Sequence, residues 1–565
     1  MDQQQQTKQS RGPGRRDVLK LGAVGAVGVA GVAIPLGQGA HAKAASTLAP
    51  SSMPVPYTAA FQRPPVLQPY GEEYDAQGRI LLYSLTAKEA TAELIPGFTS
   101  KIWAYNGVFP GPTISIDQGT RAKVRVRNAL PATHPMFGHA FETSTHLHGS
   151  ASLPQFDGYA NDITRPGEVK VYEYPDFQSA RTLWYHDHAV HHTAKNVYTG
   201  LAATYQMHDS YERSQLPQDE FDVPLVISDA MFNADGTLAF NDDNSSGLWG
   251  DVIFVNGVAW PQMTVKRRVY RFRVLDASIS RSYKLRLSNG ARMTVVATDG
   301  GMLPVPQPVT SFRQGTAERY EVLIDFTSYP AGTTIDLLNS SNLHNVDYLN
   351  TDKVMRFVVS DEPFDGTNNL VPTQLNVSAA TKDTMGLTMA MSKATTALTV
   401  EHNDTTNIWN ISGKTWDDVV ASGFKLTVAN PQINDVQVWT IENKSGGWFH
   451  PVHIHLVDFK VIARNTNGGR PFAWERGPKD VVYVGEAEKV TLLMRFAVKP
   501  GSTGGRYMVH CHNLVHEDHD MMQQFRVGNN DPAADPNDPV AAARPSWDTL
   551  LPDYVQYEAS YPLGT

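Results

Sequence analysis

Eight histidines of this chain fall into four His-x-His pairs: His146 and His148 in THLHGS, His186 and His188 in WYHDHA, His453 and His455 in HPVHIHL, and His510 and His512 in VHCHNL. On a β-strand, residues i and i+2 point to one face, so each pair can offer two imidazoles to one region of space. One such pair is weak evidence, because satisfied core and surface histidines are common. Four pairs, two towards each end of a 565-residue chain, point to a metal cluster assembled from distant segments. Imidazole alone suits zinc, copper, iron or nickel. The fourth pair narrows the choice, because it encloses Cys511, the only cysteine. With His510 and His512 on one face, Cys511 faces the other and needs partners of its own. His450 comes just ahead of the third pair, His516 follows the cysteine by five residues and Met521 by ten. Two imidazoles, a thiolate and a weak axial thioether are the donor set of a blue-copper electron-transfer site. Zinc would call for more cysteines or carboxylates at tighter spacing. The four pairs then supply the eight imidazoles that three further coppers require.

Such pairs work only if strands hold them, and the chain reads as β throughout. RAKVRVRNAL (121–130), VYRFRVLDAS (269–278) and KVTLLMRFAV (489–498) alternate or are rich in β-branched residues, with Gly, Pro and Asn between them. No long stretch keeps a 3.6-residue stripe. Forty-three glycines and 36 prolines suit short strands and many turns. A repeat is visible: YNGVFPGPTISIDQGTRAKVRVRN (105–128) resembles VNGVAWPQMTVKRRVYRFRVLD (255–276), and WNISGKTWDD (409–418) with DVQVWTIENKSGG (435–447) is a weaker third copy. Three sandwich or barrel units fit this spacing. The expected divisions are 46–215, 216–385 and 386–530, followed by a polar tail, 531–565.

Compartment and partners follow from composition. Arg15-Arg16 precede an apolar run, residues 21–34, too short to span a membrane, and a small-residue AHA follows at 40–42. Residues 1–42 therefore read as a twin-arginine-type signal. The expectation is export by the twin-arginine translocase to the extracellular space or cell envelope, with no stable membrane insertion once the signal is removed. In an exported protein a single thiol is reactive, intermolecular or a metal ligand. A formal net charge of −9 and no long basic tract argue against nucleic acid as a partner.

With GGWFHPVHIHLVDFKVIAR and HCHNLVHEDHDMM added to the four pairs, the sequence resembles the three-domain multicopper oxidases, and within them the bilirubin oxidases and bacterial spore-coat laccases. The resemblance implies three cupredoxin-like Greek-key β-barrels and four coppers. Carried over by motif position, it implies a type 1 copper on His450, Cys511, His516 and Met521, and a type 2 copper on His146 and His453. The binuclear type 3 pair would take His148, His186, His188, His455, His510 and His512. It further implies one-electron oxidation of a small-molecule donor coupled to four-electron reduction of O2 to water. Phenols, aromatic amines and tetrapyrroles are the expected donors. A copper(I) oxidase and an o-aminophenol oxidase are the alternatives, the former suggested by Met385, Met389 and Met391 in MGLTMAMS.

Acids at the positions of Glu517, directly after His516, and Asp157, eleven residues after His146, lie beside the O2 path in the enzymes resembled. Glu517 is expected to donate protons, and Asp157 to relay them or anchor a ligand. Asp187, between His186 and His188, points away from them and reads as structural. Trp448, two residues before His450, matches a tryptophan near the donor edge of bilirubin oxidases. It reads equally well as a packing aromatic.

Overall fold

The computed structural model describes residues 45–528, 538–540 and 556–557. The signal-like segment 1–42 and most of the tail 531–565 lie outside the described residues. Six sheets among the described residues form three face-to-face pairs. The first pair is built from strands between Gly71 and His208, the second from strands between Asp222 and Ser360, and the third from strands between Ala394 and Val527. The fold is all-β, with three cupredoxin-like barrels. No helix of the described residues is long and apolar enough to cross a membrane.

Each barrel repeats one device. Its first long strand pairs in parallel with a later strand: Gly78–Ala92 with Arg121–Ala129, Asp222–Phe232 with Val269–Asp276, and Ala394–Asn403 with Val436–Asn443. Parallel partners need a crossover, and Greek-key connections provide it. The Asn-Gly of the sequence repeat has the same role twice. Asn106 and Gly107 both have positive φ, as do Asn256 and Gly257, the paired left-handed residues of a type I′ turn. Asn106 Oδ1 accepts from the Thr86 amide and Asn256 Oδ1 from the Val226 amide, each at 2.8 Å. The third copy uses Ser412 and Gly413, also at positive φ.

One strand departs from simple alternation. Val269–Asp276 is buried on both faces, including Arg271 and Arg273. Its second face lies against the first barrel, and the arginines survive there by pairing. Arg271 meets Glu321 at 2.6 Å and Glu212 at 2.5 Å, while Arg273 meets Asp222 at 2.7 Å and Glu321 at 3.0 Å. Glu212 also accepts from His208 Nδ1 at 2.6 Å. Removing one member of a buried ion cluster strands the others, at about 3–5 kcal/mol. Arg271→Met is therefore expected to lower the urea midpoint of the metal-free protein by a corresponding amount, and an unchanged midpoint would refute this.

Candidate metal centres

Strand register brings the four pairs together. Thr145–His148 runs antiparallel to Arg181–Asp187, with His146 opposite His186. His450–Ile454 runs antiparallel to Gly505–Cys511, with His453 opposite His510. His188, His455 and His512 each stand just beyond a strand end, but their amides continue the ladder to the carbonyls of Ser144, Met508 and Pro451. Within each pair the rings share a face, with centroids 5.5, 5.8, 4.6 and 5.3 Å apart in chain order. All eight are buried.

The eight imidazoles sort into groups. His188, His455 and His510 bring one ring nitrogen each within 4.8 Å of one another, as do His148, His186 and His512, and His146, His148 and His453. In the first group His510 Nε2 lies 3.2 Å from His188 Nε2 and 3.1 Å from His455 Nε2. Three nitrogens meeting head to head cannot be joined by two protons alone, whereas one cation satisfies all three lone pairs. Elsewhere His146 Nε2, His148 Nδ1, His186 Nε2, His453 Nε2 and both nitrogens of His512 are buried and meet no protein partner. Buried polar atoms are nearly always paired, so this donor set fits metal ions. Burial, with repulsion between neighbouring rings, holds His186 and His188 neutral: they titrate at about 3 and about 4. Neutral imidazole is the form that ligates.

The far sides of the rings are fixed by hydrogen bonds. His146 Nδ1 donates to the Asp157 carbonyl and His455 Nδ1 to the Asp157 carboxylate, the latter at 2.8 Å. Asp157 thus anchors one histidine from each terminal barrel. Burial pushes its carboxyl well above the usual range. Gly158 lets it sit so close, because a Cβ there would lie 2.5 Å from the His146 Cα. Glu517 lies with Oε2 2.9 Å from His510 Nδ1 and Oε1 3.5 Å from His188 Nδ1. Burial raises its pKa, but His510, His188 and the His510 hydrogen bond outweigh that and bring it to about 2. Asp187 points away from the cluster and accepts from the amides of Ser144 and Ala189 and from Asn196 Nδ2. Those bonds give it a structural task.

Cys511 faces the other way. His450 Nδ1 lies 3.3 Å from its sulfur, His516 Nδ1 3.7 Å, and the two Nδ1 atoms are 3.2 Å apart. The outer nitrogens are occupied: Ser445 Oγ is 2.8 Å from His450 Nε2, and the Ser246 carbonyl is 2.9 Å from His516 Nε2. Met521 is buried beside them; its carbonyl accepts from the Cys511 amide and its amide donates to the His516 carbonyl. Burial pushes the Cys511 thiol well up, so ionising it there needs a cation in place of the proton. A neutral His450, held at about 3 mainly by burial, suits the same ion.

Trp409 and Asp480, near these centres, carry no sequence signal. Trp409 is buried and stacks on His516 with centroids 3.7 Å apart, its Nε1–H donating to the Ser245 carbonyl. The half-buried Trp448 stands edge-on to His516 at 5.7 Å. Asp480 accepts from His148 Nε2 at 3.1 Å. Met389 and Met391 are exposed.

Family models described as multicopper oxidase match residues 86–210, 184–334 and 388–531. The chain is 39% identical over 496 residues to a bilirubin oxidase of Albifimbria verrucaria, covering 83% of this chain and 81% of that protein. It is 33% identical to a laccase of Bacillus subtilis (strain 168), covering 79% and 94% respectively. The crystal structure of a multicopper oxidase from Aquifex aeolicus superposes with a TM-score of 0.70 at 26% identity, covering 83% of this chain and all of that one.

Proposed function

Since the chain belongs to the multicopper oxidase family and is a copper-dependent oxidoreductase with O2 as acceptor, we propose that it is a laccase- or bilirubin-oxidase-like enzyme for organic donors, holding four coppers. His450, Cys511, His516 and Met521 would hold the mononuclear type 1 ion. His188, His455 and His510 would hold one ion of the type 3 pair, and His148, His186 and His512 the other. His146 and His453 would hold the type 2 ion. His148 Nε2–H is committed to Asp480, leaving Nδ1 as its lone pair, and its place with the type 3 pair follows from motif position. Bound copper would supply one-electron acceptance at the first site and four-electron reduction of O2 to water at the cluster.

The observation that carries this reading is a single strand end. Cys511 faces His450 and His516 while its neighbours His510 and His512 face the histidine cluster. A few covalent bonds therefore join the two centres. The protein holds both sets of ligands rigidly, excludes bulk water by burying every ring, and keeps two carboxylates, Glu517 and Asp157, against ligand imidazoles for proton transfer. Trp448 beside His516 supports donor entry at that edge. The twin-arginine-type leader, residues 1–42, supports export of the folded protein.

Organic donors are favoured over copper(I) because an aromatic edge borders His516, whereas the copper(I) alternative rests on Met385, Met389 and Met391 alone. O2 uptake by the copper-loaded protein with bilirubin, a methoxyphenol, an o-aminophenol and copper(I) tests the choice. The expected outcome is faster uptake with bilirubin and the methoxyphenol than with copper(I); a strong preference for copper(I) would overturn it.

A further inference from the structure

The middle barrel supplies none of the histidines or sulfurs of the two centres, yet one of its arginines reaches the cluster's outer wall. Arg319 starts the strand Arg319–Asp325 and is fully buried. It grips Asp480 with both arms, Nη1 to Oδ1 at 2.7 Å and Nη2 to Oδ2 at 2.5 Å. Its other hydrogen bonds go to main-chain carbonyls: Nε to Thr182 at 2.9 Å, Nη1 to Ala317 at 3.0 Å and Nη2 to Asp299 at 3.2 Å. A guanidinium held at every nitrogen is a fixed fork, and a bidentate carboxylate inherits that rigidity.

Asp480 then touches one histidine from each terminal barrel. Its Oδ1 accepts from His148 Nε2–H, and its main-chain carbonyl accepts from His453 Nδ1–H at 2.9 Å. Those two rings stack with centroids 3.7 Å apart and planes 19° from parallel. Each bond occupies the outer nitrogen and leaves the other, His148 Nδ1 and His453 Nε2, buried and facing the cluster without a partner. The arrangement is braced from behind. Asp299 Oδ1 accepts from the Arg319 amide at 2.7 Å, and Lys479 pairs with Asp299 at 2.8 Å and Glu318 at 3.0 Å.

The glycine after His148 is explained by the same contact. Gly149 has φ +88°, and a Cβ there would lie 2.6 Å from Asp480 Oδ2 and 2.7 Å from Arg319 Nη2. Any side chain would push the Arg319–Asp480 pair off His148.

We propose that Asp480, held by Arg319, is a positioning residue through which the middle barrel sets the ring planes and the presented nitrogens of His148 and His453. The inference rests on the proposed ligand assignment. The two rings come from segments 305 residues apart in sequence, and one carboxylate-bearing residue gives them a common reference. The middle barrel thereby acts on the cluster without contributing a ligand to it.

The test is copper content and cluster EPR of the purified, copper-loaded Asp480→Asn and Gly149→Ala proteins. Asp480→Asn preserves size and removes the paired charge; Gly149→Ala displaces the pair without changing any charge. Arg271→Met is the comparison, since it breaks a buried ion cluster that touches no ligand. The expected result is full blue absorption per chain in all three. At least one copper per chain is lost and the cluster EPR signal altered in the Asp480 and Gly149 variants only. Wild-type copper content and EPR in a folded Asp480→Asn or Gly149→Ala protein would overturn the proposal, as would equal copper loss in Arg271→Met. A wild-type chain that binds copper only at the Cys511 centre would instead refute the ligand assignment itself.

Discussion

Cys511→Ser is expected to abolish the blue absorption and all turnover while leaving the fold and the histidine cluster able to load copper. Sulfur is the soft donor that distinguishes this centre from an ordinary imidazole site. A serine hydroxyl in the same place is a hard donor that stays protonated at neutral pH. The stability effect is small, because serine is nearly isosteric with cysteine and its hydroxyl would stand beside the Nδ1 atoms of His450 and His516, which lie 3.3 and 3.7 Å from the sulfur. The cluster side is insulated from the change. His510 pairs across the ladder with Met522 and with His453, and the His512 amide donates to the Pro451 carbonyl. None of those contacts passes through the sulfur. Copper analysis should therefore find about one ion fewer per chain, together with a colourless protein that consumes no O2 with any donor. A variant that is still blue, or that still turns over, would show that another sulfur or another path serves the centre.

Glu517→Gln separates the two centres in the opposite sense. The variant should keep its blue colour and accept electrons from donors at a normal rate. Reoxidation of the reduced protein by O2 should slow by about 10²-fold or more, the range for loss of a positioned acid–base group. Glutamine preserves the volume of the side chain and can still hydrogen-bond, but it cannot carry a proton. Its neighbours make the assignment specific: Glu517 lies against the Nδ1 atoms of His510 and His188, two of the three rings whose Nε2 atoms converge. A carboxylate that only oriented those rings would predict a different outcome. Copper content or the cluster's EPR would change, and the pH profile of reoxidation would not. Stopped-flow reoxidation across pH, together with copper analysis, distinguishes the two, and an unchanged reoxidation rate would refute the proton-transfer role.

The parts of the site that sequence reveals share one property: each is encoded by neighbours. Four His-x-His pairs need only the two-residue period of a strand, and the opposite orientation of Cys511 follows from the same alternation. The Asn-Gly repeats at 106–107 and 256–257 announce tight turns because few residues tolerate positive φ twice in succession, and both turns are present. Alternation is less informative where both faces are covered. In Val269–Asp276, Arg271 and Arg273 look like outward residues of a half-buried strand, yet they lie in a sealed ion cluster. A strand records its own period but not what packs on its second face.

The sequence alone therefore carried the resemblance to the family, the all-β class, and the histidine, cysteine and methionine residues proposed as donors. Local spacing and residue chemistry are sufficient for those. Only the tertiary structure decided which three imidazoles meet at each point, that Asp157 bridges His146 and His455, that Trp409 stacks on His516, and that Arg319 of the middle barrel steadies His148 through Asp480. Asp480 and His148 are 332 positions apart. Contacts at that range arise from the packing of one barrel against another, and no periodicity along the chain carries a record of which side chain will stand across that interface.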